Sequence, residues 1–131
     1  MTAAPVLIIE DEPDIAEVLR YSLEKAGFNT RAVLTGEEGL KASLDRTNPP
    51  SLILLDLLLP GMNGMEICRR LRHEPTTHRT PIVIITATAL PAYISTSLQL
   101  GADDYIVKPF SVREVVRQVC LLLQKHERQE I

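Results

Sequence analysis

The chain has 131 residues, of which 45% are hydrophobic and 24% are charged, and its net charge is −3. These values are typical of one globular domain with a sizeable core, and the lack of a lysine and arginine cluster argues against direct nucleic-acid binding. The apolar runs are too short to span a membrane, and the N-terminus lacks the basic start of a signal peptide, so we expect a cytoplasmic protein.

The first part of the chain alternates strand-like apolar runs with helical patterns. Val6 to Ile9 is predicted as the first strand, and Asp14 to Ala26 as a helix with Val18 on its inner face. A weaker second strand, Thr30 to Leu34, follows. The segment 35–38 (TGEE) then has the pattern of a capping box and opens a second helix.

The same alternation continues through the middle of the chain. Leu52 to Asp56 is the third predicted strand, and a helix is predicted from about Gly64 to His73. Pro81 to Thr86 is the fourth strand. Ala89 to Leu100 is the weakest helical pattern, because it contains β-branched and hydroxyl residues.

The last strand and helix complete a fivefold pattern. Tyr105 to Val107 is the fifth strand, and a second capping box at 111–114 opens a helix that runs to about Lys125. We therefore predict a single domain over residues 1–125 and a fraying charged tail, or the start of a linker, at 126–131. The two cysteines, Cys68 and Cys120, lack metal-type spacing and are expected to be buried, reduced thiols.

The strand composition predicts how these elements assemble. The first, third and fourth strands are almost continuously apolar, so both of their faces should be covered by helices. Strands that alternate with helices form right-handed βαβ units, and the fold class is therefore α/β with a doubly wound parallel sheet. Ligands of such sheets bind beyond the carboxyl ends of the strands.

Polar residues end four of the predicted strands, and topology brings them to that one edge. Each has a simpler explanation alone: acids favour a helix N-terminus, threonine favours strands, and lysine favours the surface. The whole set is poorly explained by coincidence and favours a functional site. Its members are Glu10, Asp11, Asp56, Thr86 and Lys108.

The chemistry of this set points to a metal and a phosphoryl group. Crowded carboxylates repel one another, and the usual remedy is a hard cation such as Mg²⁺. Zinc is disfavoured, because the three histidines lie away from this edge. A lysine and a hydroxyl beside a metal-binding carboxylate can hold a phosphoryl group, and Asp56 could then act as the nucleophile.

Four stretches carry a resemblance to a known family. They are IIEDEPD (8–14), ILLDLLLPGMNG (53–64), PIVIITA (81–87) and GADDYIVKPF (101–110). In this order and at these separations, the chain resembles a bacterial response-regulator receiver domain over essentially its whole length. The resemblance implies a five-stranded parallel sheet with strand order 2-1-3-4-5, and a phospho-accepting switch in a two-component phosphorelay rather than an enzyme.

The resemblance also implies a role for each acidic residue. Asp56 would accept the phosphoryl group. The domain would catalyse only that transfer and the slow hydrolysis of the resulting aspartyl phosphate. Asp11 would bind Mg²⁺ directly, and Glu10 would do so mainly through water. The backbone carbonyl of Leu58 would be a further metal ligand.

The remaining matched positions have implied roles around the phosphoryl group. Thr86 and Lys108 would hold its oxygens, and Ala87 is small enough to leave the approach open. Tyr105 would be an aromatic switch that turns inward when Thr86 moves. The peptide bond between Lys108 and Pro109 is expected to be cis.

Two other functions use related residues. A haloacid-dehalogenase-type phosphatase also has an aspartate nucleophile and Mg²⁺, but it needs a second carboxylate two residues later, where this chain has Leu58. A pseudo-receiver, a binding module that no longer accepts phosphate, usually lacks the acidic pair, the aspartate or the lysine. All of these are present here.

The implied partners are a sensor histidine kinase or a histidine phosphotransfer protein. The stretch GADDYIVKPFS resembles receivers of winged-helix regulators, which would contact DNA only through an effector domain. The fourth helix departs from that subgroup at Tyr93, Ile94 and Gln99. With the apolar run VCLLL (119–123), these residues favour a docking or dimerisation surface, such as a homodimer interface, on the fourth helix, fifth strand and fifth helix, although isolated exposed residues are a simpler alternative.

Two further positions bear on the lifetime of the phosphorylated state. In the family, side chains two residues after the aspartate and two after the threonine help or hinder the attacking water. These positions are Leu58 and Thr88. Leucine offers no hydrogen bond and threonine is short, so we expect slow self-hydrolysis.

Overall fold

The structure is a computed structural model that describes the backbone of residues 4–130 and the side chains of residues 4–126. Five strands alternate with five helices. The elements are β1 (Val6–Ile9), α1 (Pro13–Lys25), β2 (Thr30–Val33), α2 (Gly36–Ser43), β3 (Leu52–Leu55), α3 (Gly64–His73), β4 (Ile82–Thr86), α4 (Pro91–Gln99), β5 (Asp104–Val107) and α5 (Val112–Glu130).

The strands form one parallel sheet in the order β2-β1-β3-β4-β5, which confirms the predicted fold and strand order. The chain leaves β1 toward β2 on one side and continues to β3 on the other. The carboxyl ends of β1 and β3 are therefore the topological switch point, where doubly wound sheets form crevices.

The core has two layers because successive strand residues point to opposite faces of the sheet. One layer lies under α2 and α3, and the other under α1 and α5. In β1, for example, Leu7 and Ile9 belong to the first layer, whereas Val6 and Ile8 belong to the second. All of β1, β3 and β4 is buried, as their continuous apolar composition predicted.

Several local predictions need correction. Val18 is 48% exposed, although it was predicted on the inner face with Leu19 and Leu23, which are buried. The buried stripe of α1 is completed by Ala16 instead of Val18. The helix α5 continues to Glu130 instead of fraying after Lys125. Its last residues are mostly strong helix formers, so their charge does not end the helix.

Three smaller differences concern single side chains and one boundary. Cys68 is buried and Cys120 is half-buried, and both are free thiols. Burial raises the pKa of the Cys68 thiol.

Leu57 is buried although it follows Asp56, because the chain after β3 folds back onto the core. The helix α4 begins at Pro91 instead of Ala89. The N-cap bond of both predicted capping boxes is present, because the Thr35 and Ser111 hydroxyls accept the N–H groups of Glu38 and Glu114.

Arg72 connects the segments that lead into β4 and β5, at the amino ends of these strands. Its guanidinium donates to the carbonyls of Gly101 (2.9 Å), Thr77 (3.1 Å) and Thr80 (2.7 Å), and it pairs with Asp103 at 3.0 Å. Gly101 has a φ of +108°, and a Cβ there would lie 2.7 Å from the Arg72 side chain. This network holds the chain ends of α3, α4 and β5 in place at the edge away from the predicted site.

No helix in the described part of the chain is long and apolar enough to cross a membrane.

Candidate functional site

The register of the sheet places the predicted site residues next to one another. Ile9 is level with Leu55, so the next residues, Glu10 and Asp56, leave the sheet side by side. The Asp56 N–H donates to the Ile9 carbonyl at 3.0 Å and continues the ladder by one bond. The parallel arrangement therefore fixes two carboxylates of distant sequence position at one edge.

Asp56 is buried, with 4% of its surface exposed, yet both of its carboxylate oxygens are hydrogen-bonded. Oδ1 accepts from the Leu58 N–H at 2.9 Å, and Oδ2 accepts from Lys108 Nζ at 2.9 Å. These two bonds offset the cost of removing the carboxylate from water. A lone acid within a run of leucines is tolerated because the strand ends beside a cation.

Lys108 is shared between two buried acids. Its Nζ lies 2.7 Å from Glu10 Oε1 as well as 2.9 Å from Asp56 Oδ2, and 4.0 Å from Glu12 Oε1. Burial alone would lower the pKa of the ammonium, but the hydrogen bonds that it donates to Glu10 and Asp56 outweigh this effect, and the pKa is raised. The lysine therefore stays charged and acts as the internal counter-ion of the site.

Burial disfavours the ionised form of the Glu10 carboxyl. Burial raises the pKa of its carboxyl to about 7 despite the hydrogen bonds from Lys108 and the Glu12 N–H. A carboxyl whose ionisation is opposed by burial gains from a nearby divalent cation, because the cation favours the charged form.

The three acids form a plausible set of metal ligands. One carboxylate oxygen from each of Glu10, Asp11 and Asp56 lies within 4.8 Å of the other two. Two of these residues are buried and Asp11 is half-buried, so the group is open on one side. An all-oxygen set with few protein ligands suits Mg²⁺, which keeps several of its waters. The three residues could therefore hold a metal ion.

Thr86 supplies a hydroxyl that the surrounding residues do not satisfy. Its side chain is fully buried, and Oγ1 has no hydrogen-bond partner among the described residues. An unpaired buried hydroxyl is costly, and such groups often mark a ligand site. Ala87, the next residue, is exposed and small. Its position is consistent with an open approach to the edge.

Tyr105 connects the site to the segment before α4. Its hydroxyl donates to the Thr88 carbonyl at 2.7 Å, and its half-buried ring packs against the core layer under α2 and α3. The ring thus contacts the segment that follows Thr86. The peptide bond between Lys108 and Pro109 is cis, as predicted.

Two residues at the site were missed by the sequence reasoning. Gly64 lies against the chain after Asp56, where a Cβ would be only 2.5 Å from the Asp56 carbonyl oxygen and 2.6 Å from the Leu57 Cα. The available signals were its place at the start of a helix and at the end of the matched stretch 53–64. Glu12, near Lys108, was treated as one of several acids at the start of a helix.

Comparison with known proteins agrees with this geometry. The sequence model of the family "Response regulator receiver domain" matches residues 6–120. The chain is 41% identical over 120 residues to the phosphate regulon transcriptional regulatory protein PhoB of Rhizobium meliloti, covering 92% of this chain and 52% of that protein. It is 40% identical over 122 residues to the DNA-binding response regulator MtrA of Mycolicibacterium smegmatis, covering 93% and 51%.

A solved structure gives the same result for the fold. The response regulator receiver domain protein (CheY-like) from Methanospirillum hungatei superposes with a TM-score of 0.89 at 26% identity, covering 98% of this chain and 99% of that one. This chain spans about half the length of the two curated relatives.

Proposed function

The chain belongs to the response regulator receiver domain family, and from this we propose that it is a switch that accepts a phosphoryl group on Asp56. The observation that carries the proposal is the shared contact of Lys108 with Asp56 and Glu10 beside the unpaired Thr86 hydroxyl. Together these residues offer a nucleophile, a fixed positive charge and a hydrogen-bond donor at one edge of the sheet.

In the proposed transfer, a carboxylate oxygen of Asp56 forms a bond to phosphorus while the bond from phosphorus to the donor nitrogen breaks. The donor imidazole keeps the electron pair, and the product on the protein is an aspartyl phosphate. Lys108 and the Thr86 hydroxyl would hold the phosphoryl oxygens. Glu10, Asp11, Asp56 and the Leu58 carbonyl would bind Mg²⁺, which when present neutralises the charge that develops on those oxygens.

The proposed donor is a sensor histidine kinase or a histidine phosphotransfer protein, as the family membership implies. The relatives at 40–41% identity are transcriptional regulators by name. We therefore infer that the output is transcriptional. With a net charge of −3 and no basic cluster in the sequence, this domain would act through protein contacts and not by touching DNA itself.

The output surface we propose lies on α4, β5 and α5 and binds a second copy of the chain. Eight large hydrophobic residues of the described chain are exposed, and four lie at or near α4 and α5: Leu90, Tyr93, Leu98 and Leu121. Tyr105, the proposed switch residue, is in β5 between these helices. Its inward turn would change this surface when Asp56 is phosphorylated.

Leu58 is the proposed control of the signal's lifetime. Its side chain is 52% exposed two residues after Asp56, and it offers no hydrogen bond to orient an attacking water. Thr88 is also poorly placed to orient the attacking water. Its hydroxyl lies 3.4 Å from the Leu90 nitrogen and accepts from that N–H, and its carbonyl accepts from the Tyr105 hydroxyl.

Acetyl phosphate with Mg²⁺ should add one phosphoryl group to the wild type, as seen in its intact mass. Asp56→Asn should abolish the adduct, whereas Asp14→Asn, which neutralises an exposed acid on α1, should retain it. The Asp11→Ala variant should need a far higher Mg²⁺ concentration to form the adduct. Turnover without an adduct would indicate a phosphatase. No adduct would indicate a pseudo-receiver, and an adduct on Asp56→Asn or in EDTA would refute the assignment.

Leu58→Asn should speed the decay of the purified phosphoprotein about tenfold or more, because the amide can position water for attack. Val18→Asn, at a side chain of similar exposure (48%) on α1, is the control and should decay like the wild type. The decay is followed by intact mass. A wild type that decays within seconds, or an unchanged rate in Leu58→Asn, would contradict the role of Leu58.

Beryllofluoride, which stands in for the phosphoryl group, should convert the monomer to a dimer in sedimentation velocity. Leu121→Asp should prevent this, because it places a charge in the apolar interface. Val18→Asp is the matched control, since Val18 on α1 is also 48% exposed. A monomer that persists at high protein concentration with beryllofluoride would exclude the homodimer.

A further inference from the structure

Glu12 is the third carboxylate beside Lys108 and differs from the other two in exposure. The side chains of Glu10 and Asp56 are 3% and 5% exposed, whereas that of Glu12 is 60% exposed. Its Oε1 lies 4.0 Å from Lys108 Nζ, just beyond hydrogen-bond range. The ammonium therefore contacts two buried carboxylates, and a third, exposed carboxylate lies just outside hydrogen-bond distance.

The position of Glu12 breaks a local rule of helix formation. It is the N-cap of α1, where serine, threonine, aspartate or asparagine normally accepts a helix N–H, yet its side chain makes no capping bond. Its backbone N–H donates to Glu10 Oε2 at 3.1 Å, which fixes its location relative to Glu10. Departures of this kind from local preference are concentrated at functional positions.

Lys108 and a divalent cation would share the same two carboxylates. Glu10 and Asp56 belong to the proposed metal-binding group, and both are in contact with the ammonium. The two positive charges repel each other, so a cation cannot use these carboxylates fully while Lys108 stays on both. The flexible lysine chain needs a shift of only about 1 Å to reach Glu12 at hydrogen-bond distance.

We propose that Glu12 is a positioning residue that receives the Lys108 ammonium when a divalent cation takes Glu10 and Asp56. The inference rests on the proposed function, since it concerns the same metal group. Glu12 keeps the displaced charge paired and close to Asp56, and so it lowers the cost of metal binding and holds Lys108 ready for a phosphoryl oxygen.

The test is a double-mutant cycle on Mg²⁺ affinity, measured by calorimetry at low ionic strength with Mg²⁺ as the only added ligand. Glu12→Gln in the wild-type background should weaken binding about three- to fivefold, the upper range for one partly exposed charge pair. In the Lys108→Met background the same substitution should have less than about half of that effect on the logarithm of the affinity, because no ammonium needs a new partner. Asp14→Asn controls for the loss of one negative charge.

A spectroscopic measurement separates this role from simple attraction between Glu12 and the metal. In the wild type, Mg²⁺ should shift the ¹⁵N resonance of Lys108 Nζ, and in the Mg²⁺-bound state Glu12→Gln should speed the proton exchange of this ammonium, because the displaced charge then lacks a carboxylate partner. Equal losses of affinity from Glu12→Gln in both backgrounds, or a loss no larger than that of Asp14→Asn, would overturn the inference. The proposed function would survive that result if Asp56 still formed its phosphoryl adduct, and the two failures are therefore distinguishable.

Discussion

The Lys108 ammonium between Glu10 and Asp56 is the interaction on which this edge of the protein depends. Two carboxylates that are nearly inaccessible to water would repel each other and lose hydration without a cation between them. The lysine replaces much of that hydration with two short charge-assisted bonds. The same contacts that make the acids tolerable in the core also fix the position of the proposed nucleophile.

The sheet makes this arrangement rigid. Asp56 follows the central strand β3, and Glu10 follows its neighbour β1. Lys108 follows β5, the outermost strand on one side of the sheet. Backbone bonds continue the ladders past the strands, from the Asp56 N–H to Ile9 and from the Lys108 N–H to Thr86 at 2.8 Å. Because buried parallel strands cannot slip in register without exposing their core residues, the distances between the site groups are fixed by the whole domain. The segment after Thr86 is not part of the sheet and is contacted by the Tyr105 hydroxyl through the Thr88 carbonyl.

The sequence was sufficient to predict the alternating elements, the parallel sheet and the group of polar residues at its carboxyl edge. Those features follow from short periodic patterns and from a general rule of topology. It did not predict which acids Lys108 contacts, because that depends on how three strands align in space. The exposed Val18 and the network of Arg72 were missed for a related reason, since helix rotation and contacts between residues 29–31 apart in the chain depend on tertiary packing.

The most direct test of this account is a double-mutant cycle between Lys108 and Glu10, followed by urea unfolding without metal. Lys108→Met should cost about 3–5 kcal/mol of unfolding free energy, because it leaves buried charges unpaired. Glu10→Gln in that background should recover part of the loss and give a coupling energy above about 1.5 kcal/mol. Effects that add to within about 0.5 kcal/mol would show that Lys108 is not the counter-ion that holds the site together.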